Sequence, residues 1–337
     1  NKPPIFRFPV EIEIMTTEIG EIIENDRRAN YRVTVEKQEQ DFYFPCESKP
    51  RMVLFDKGHR IFKLMHFPKS AQEFTYQLTR AEDVMDRVRA ARELSQFNGE
   101  EIVKALGDCL RGEDFYGVRM AAAISLGEIG GDLARQALIE AYHALKDPRV
   151  RRACTWAIGN FKDGAAKEES ADFLCEMLDD ESYFTVVAAN RALAHIGGDK
   201  AFDALTNSIH RSSWQEVIAA STFHGLAHAK EKRGVDLAIE QSKYGKPVPI
   251  RVAAIGCLGA LGKELNKDGK ADKVADHLIE LLKDKNIRAR VSSIRALGKV
   301  GSKRALPALH AAQARECLDQ LKAAAMDAIK RLEGSEK

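Results

Sequence analysis

The chain has 337 residues, 45% of them apolar and 30% charged, with a formal net charge of only +2. That length holds two domains or one long repeat array, and core size is not limiting. No apolar run approaches the ~20 residues of a membrane helix and the opening residues do not read as a basic, apolar leader, so a soluble chain with no membrane partner is expected.

Six cysteines (Cys46, Cys109, Cys154, Cys175, Cys257, Cys317) are scattered with no CxxC pair. Free thiols in a reducing, cytoplasmic compartment are the simpler reading. The first residue is Asn1 and the chain opens directly on a strand-like pattern, so it is expected to be part of a longer protein. Charge is uneven: residues 230–304 hold 18 Lys/Arg against 9 Asp/Glu. Such a field could attract a peptide carboxylate, but a solvated helix face is the commoner explanation, and no nucleic-acid partner is inferred from it.

From Ile5 to Met15 the sequence alternates, with Phe6, Phe8, Val10, Ile12 and Ile14 on one side and Arg7, Pro9, Glu11 and Glu13 on the other. This period of two predicts a half-buried strand. Further strands are predicted at 19–24, 31–36, 41–44, 51–55 and 60–65, separated by turns at Asn25-Asp26, Glu47 to Pro50 and Asp56-Lys57-Gly58. The expectation is a small antiparallel β-sandwich over 1–66, lacking its first strands. Phe67-Pro68 ends the pattern, and an α-solenoid is expected over 67–337.

Ser70 with Glu73 three residues on predicts a capping box for a helix to Arg80. Beyond it one unit recurs, seen most clearly in Gly117 to Gly130. Val118, Ala122, Leu126 and Ile129 form one helical stripe, and Gly130-Gly131 stops it. Asp132 is the expected N-cap of a second helix, which Asp147-Pro148 ends. The equivalents of Val118 are Asp86, Val150, Thr185, Val217, Ile250 and Ala289, at spacings of 32 to 39 residues. Seven such helix pairs, then a last helix over 317–332, predict an α-solenoid whose units bury their apolar faces against neighbours. The Ala/Leu/Gly-rich pattern resembles HEAT repeats of the short kind also found in phycobilin lyases.

The residue after the Val118 position is basic in five of seven units: Arg87, Arg119, Arg151, Arg251 and Arg290. A cation near a helix N-terminus opposes the macrodipole, so these arginines are expected to be structural, pairing between repeats with turn aspartates such as Asp114, Asp147, Asp180 and Asp284. No catalytic, cofactor or metal residue is assigned. His224 and His228 have the i, i+4 spacing of a zinc pair, but Gly225 stands where a zinc peptidase carries its general base, so they read as ordinary helix histidines. Glu264, Asn266, Asp268, Gly269 and Asp272 loosely suggest a calcium loop, but Ala275 occupies the closing Glu position. GxSxG, GxxxxGK[ST] and GxGxxG are absent.

The junction carries a more specific signal. Phe6 to Ile12, Phe42 to Pro45, Lys49 to Asp56, Leu64, Tyr76-Gln77-Leu78 and Asp86 to Ala91 together resemble the back half of the aminopeptidase N family of zinc metallopeptidases. That resemblance implies a β-sandwich and helical solenoid following a catalytic domain. The chain has neither HExxH nor the Gly-x-Met-Glu-Asn loop, so no catalytic residue and no cofactor is carried over. The resemblance implies that zinc sits in the missing N-terminal catalytic domain, this chain's partner, and that the chain caps the chamber and limits peptide access. The same architecture in a non-peptidase subunit of the transcription machinery implies an alternative interaction scaffold. A stand-alone HEAT adaptor is a third reading.

Overall fold

The computed structural model describes residues 6–18 and 25–334. Two long strands, β1 (Phe8–Glu18) and β2 (Asn25–Val35), pair antiparallel from Phe8 opposite Val35 to Glu18 opposite Asn25. A short β3 (Met52–Phe55) adds antiparallel to the other edge of β1, giving the order β2-β1-β3. Val10, Ile12 and Ile14 face Phe8, Tyr31, Val33, Val35, Phe44 and Phe55. The opposite face is also buried at its far end, where Met15, Met52 and Leu54 meet Tyr76 and Ala81 of the first helical segment.

The six-strand expectation is therefore corrected to one three-stranded sheet among the described residues. The 19–24 expectation lies outside them. Asn25-Asp26 opens β2 instead of making a turn. Residues 41–44 are not a strand. The Gln40 side chain accepts from the Glu36 and Lys37 amides (2.9 and 3.3 Å) and donates to the Thr34 carbonyl (3.1 Å), which ends the ladder, yet Phe44 still packs on Tyr31. At 60–65 the Asp56 carboxylate takes the Arg60 and Ile61 amides, each at 3.1 Å, so that backbone makes a loop. Alternation reports which side chains are half-buried; it does not report whether a neighbouring strand is available.

Glu13, placed on the polar face by its period, is only 1% exposed. Lys57 and Arg28 hold it, and both also reach Glu82 in the segment after the first helix. An ionised carboxylate there requires such partners.

Sixteen α-helices follow among the described residues. They are α1 (Ala71–Arg80), α2 (Val84–Glu93), α3 (Glu100–Gly112), α4 (Tyr116–Ile129), α5 (Gly131–Tyr142), α6 (Pro148–Ile158), α7 (Gly164–Glu176) and α8 (Tyr183–Ile196). The rest are α9 (Asp199–Asn207), α10 (Val217–Ala229), α11 (Val235–Ser242), α12 (Val248–Asn266), α13 (Asp272–Leu281), α14 (Ile287–Val300), α15 (Leu306–Arg315) and α16 (Asp319–Glu333). The pairs α2/α3 through α14/α15 are the seven repeats; α1 precedes them and α16 closes them.

The capping box of Ser70 and Glu73 is present on α1. Asp132 is not the cap of α5. Gly130, at φ +72°, takes the N-cap place because the chain must turn sharply between two helices, and Asp132 lies one residue inside α5. The chain divides into two compact units, Asn1–Cys154 and Thr155–Lys337, the division falling within α6. In the first, α2 packs on α4 and α3 on α5. In the second, the row α8, α10, α12, α14, α16 packs helix on helix, with α7 on α9 and α11 on α13 beside it. The stripe residues Val118, Ala122 and Leu126 are fully buried and Ile129 partly so.

Candidate functional site

The five arginines share a geometry that explains why a cation tolerates that position. Each reaches back from its own helix start to carbonyls of the preceding segment, in the last turn of the helix before it for Arg119 and Arg251 and in the loop after that helix for Arg87, Arg151 and Arg290. Arg87 donates to the Ala81 and Glu82 carbonyls, Arg119 to that of Leu110, and Arg151 to those of Leu145 and Lys146. Arg251 donates to the Ser242 carbonyl, and Arg290 to those of Asp284 and Lys285. The Leu110 and Ser242 carbonyls belong to helix C-termini, where they lack intrahelical donors and carry the negative end of the macrodipole, so Arg119 and Arg251 are each stabilising there by about 0.3–1 kcal/mol; the other three satisfy loop carbonyls.

Arg87, Arg251 and Arg290 also reach a carboxylate 26 to 33 residues on. Arg87 makes a two-pronged pair with Glu113 (3.0 and 3.1 Å) and Arg290 with Glu316 (2.8 and 3.2 Å). Arg251 binds Asp284, both side chains being almost wholly buried. Of the aspartates expected as partners, Asp284 is thus engaged, while the acid facing Arg87 is Glu113 and not its neighbour Asp114. Asp147 is held by Arg149 at 2.7 Å, which keeps its carboxyl down at about 2. The Asp180 carbonyl accepts from Arg211.

The second unit contains a cavity of about 430 Å³. Its lining comes from the end of α6 and the turn after it, with Trp156 and Asn160, and from α8 and α10, with Arg191 and His195, His224 and His228. The four-residue spacing sets the α8 pair and the α10 pair each on one helix face. The floor is made of small residues. A side chain at Gly159 would lie 2.8 Å from Ala192 Cβ, closer than Cβ atoms come, and one at Gly225 3.2 Å from Ala194 Cβ, a tight contact, so the backbones approach closely at both glycines.

The His195 and His228 rings stand 6.1 Å apart, and the Lys162 ammonium is 3.4 Å from His195 Nε2. Burial, then Arg191, pulls the His224 imidazole below its usual range; burial, then Lys162 and His228, does the same for His195. No lining residue is acidic. At neutral pH the cavity thus combines an exposed guanidinium, two imidazoles, His195 and His224, that bind protons weakly, and a half-exposed indole. Chemically this suits an anion, whose charge favours the protonated rings. The sequence presents His224 and His228 as an i, i+4 pair of ordinary helix histidines; the missed signal is the Arg191/His195 pair at the same spacing one repeat earlier.

Other sequence features are absorbed structurally. Glu264 pairs with Lys267 and Lys230, and Asp268 with Lys232, leaving the calcium-like stretch as the end of α12 and its loop. Much of the basic 230–304 segment is likewise engaged, as by Lys273 with Asp236 and Arg304 with Asp276. All six cysteines are free, and burial pushes the Cys154 and Cys257 thiols up to about 12, which makes them inert. Among the described residues no helix is long and apolar enough to cross a membrane. One cluster there has metal-ligand geometry, His59 with Asp83 and Asp86, their ligand atoms all within 4.8 Å of one another.

No curated protein matches the chain. Several solved structures are similar. The karyopherin Kap121p bound to Pho4p has a TM-score of 0.52 at 12% identity, covering 78% of this chain and 33% of that one. Kap121p bound to the extreme C-terminus of the protein phosphatase Cdc14p has 0.51 at 15%, with the same coverage. The CpcE–CpcF complex of phycocyanin lyase from Nostoc sp. PCC7120 has 0.41 at 18%, covering 48% of this chain and 98% of that one. At these identities the likeness concerns fold. Residues 71–159, 143–224 and 235–330 match the family model for HEAT repeats, and with paired helices along the same stretch the chain belongs to the HEAT-repeat family.

Proposed function

We propose that this chain is a non-catalytic recognition wall, a HEAT-repeat scaffold for protein interaction whose cavity between α6, α8 and α10 takes a peptide carboxylate. The observation that carries the reading is the lining itself: Arg191, three imidazoles and Trp156, with no acid among them. The Kap121p structures are of similar fold and hold protein segments, one of them an extreme C-terminus, which is consistent with such a use of the fold. The test is titration of the full chain with a peptide bearing a free C-terminal carboxylate and with its amide. The acid is expected to bind at least about tenfold more tightly, a difference worth about 1.4 kcal/mol, and Arg191→Gln to abolish that preference. Equal binding of acid and amide rejects the site.

The finer reading is that the parent protein is an aminopeptidase N-like zinc metallopeptidase in which this region caps the catalytic chamber and restricts peptide access. What supports it is where the resembling residues fall. Val10, Ile12, Met52, Leu54, Asp56, Tyr76, Gln77, Leu78, Asp86 and Val88 are all buried, and among them Met52, Leu54 and Tyr76 build the sheet-to-helix junction. Gln77 there donates to the Asp86 carbonyl at 2.8 Å, locking α1 to α2. Zinc would lie on polypeptide preceding this chain. An aminoacyl-anilide assay on the full-length protein, with and without chelator, separates this reading from a scaffold whose parent has no peptidase activity. Chelator-insensitive inactivity, or an upstream reading frame without HExxH, favours the scaffold.

A further inference from the structure

The cluster at the sheet-to-helix junction carries chemistry that neither the repeat pattern nor the proposed function uses. Asp86 occupies the stripe position filled by Val118, Val150, Thr185, Val217, Ile250 and Ala289 in the other units. It is only 5% exposed, and its Oδ2 is buried without a hydrogen-bond partner. A carboxylate in the place of an aliphatic side chain, with one oxygen unsatisfied, costs several kcal/mol unless a cation compensates it.

His59 is aimed at it. Its Nε2 stands 3.2 Å from Asp86 Oδ1 and 3.8 Å from Asp83 Oδ1. Neighbouring ligand atoms on a tetrahedral ion with bonds of ~2.0 Å are about 3.3 Å apart, so these separations already suit a shared ion. The start of α2 sets Asp83 and Asp86, and a separate loop sets His59. Asp83 is the N-cap of α2, accepting from the Met85 amide at 2.7 Å. His59 sits at φ +52° and Asp56 at φ +61°, a bend pinned by the Asp56 carboxylate through the Arg60 and Ile61 amides and Lys63. A loop bent into the left-handed region to present an imidazole to two carboxylates is a preorganised donor set.

We propose that His59, Asp83 and Asp86 bind one divalent transition-metal ion of the zinc type, clipping the loop after β3 to the N-terminus of α2. One imidazole and two carboxylates suit zinc, cobalt or manganese; calcium and magnesium would need more oxygen donors than the cluster offers. Three protein ligands leave a fourth position for water. The site shares no residue with the cavity lined by α6, α8 and α10, and its test does not depend on that reading.

The full chain is titrated with cobalt(II), whose d–d absorption reports tetrahedral coordination, and with zinc in thermal unfolding. One ion per chain and a zinc-dependent rise in Tm, reversed by chelator, are expected. His59→Gln and Asp86→Asn should each weaken cobalt binding by at least about tenfold. Asp86→Val restores the stripe residue of the other units and should fold without metal while losing the zinc-dependent rise in Tm. Exposed Cys46 and Cys317 are distinguished by their thiolate charge-transfer band. Absence of d–d bands and of any zinc effect on Tm means that His59 is simply an ion-pair partner of the two aspartates and overturns the proposal. Equal cobalt affinity in wild type and variants does so as well.

Discussion

Arg251 and Asp284 are the most deeply buried ion pair among the described residues, their side chains 3% and 4% exposed. Removing one partner leaves the other charged and desolvated, a loss of about 3–5 kcal/mol. Arg251→Met is therefore expected to lower the urea midpoint sharply, whereas Arg149→Met, at a solvent-exposed pair with Asp147, should leave it nearly unchanged. Equal effects would show that burial does not govern this row. His195 and His224 set a pH response. Burial and cationic neighbours hold both below the free value of 6.5, so the stability their neutral forms contribute is complete above about pH 6.5 and is lost as pH falls through their lowered values. An anionic peptide reverses the preference, since it stabilises the protonated rings. Its affinity is expected to rise from about pH 7.5 to about pH 5.5, with proton uptake visible in calorimetry and reduced in His224→Gln. A flat profile would remove the imidazoles from the binding reaction.

At the scale of the helix, two glycines of α12 separate propensity from packing. Gly256 faces open space, with nothing within 4 Å of an added Cβ; at Gly259 that Cβ would lie 2.9 Å from Ala296 Cα on α14. Gly256→Ala should stabilise by up to about 1 kcal/mol through helix propensity alone. Gly259→Ala gains the same term but forces α12 and α14 apart, an overpacking cost of about 1–3 kcal/mol, and is expected to be destabilising on balance. Thermal unfolding of the two variants should shift in opposite directions; a shift of the same sign refutes the close-contact account. The helices were legible because a stripe such as Val118, Ala122, Leu126 repeats at 3.6 residues and glycines end it. The strands were less so. Residues 60–65 alternate like β1, but one carboxylate, Asp56, claims their amides.

Across the molecule, a solenoid is stable only while each unit has a neighbour, and α16 is the last of these. Leu321, Ala325, Ala328, Ile329 and Leu332 join the same apolar cluster as Ile294, Leu297 and Leu309. Burial of its three large aliphatic side chains contributes roughly 5–9 kcal/mol before the entropy of ordering the helix is set against it. Truncation after Glu316, which keeps the Arg290 pair, should lower Tm and expose the α14 face to aggregation; unchanged melting and elution would contradict nearest-neighbour stabilisation. The sequence by itself determined the repeat: its period, its seven pairs, its leading capped helix and its closing one, because all of these are local patterns spaced along the chain. Only the tertiary structure decided which residues from different repeats share a surface. Arg191, His195, His224 and His228 meet because α8 and α10 pack through Ala194 and Gly225, and His59 reaches Asp86 because a left-handed bend carries it there. Those encounters join residues about 30 positions apart, and no spacing within one helix records them.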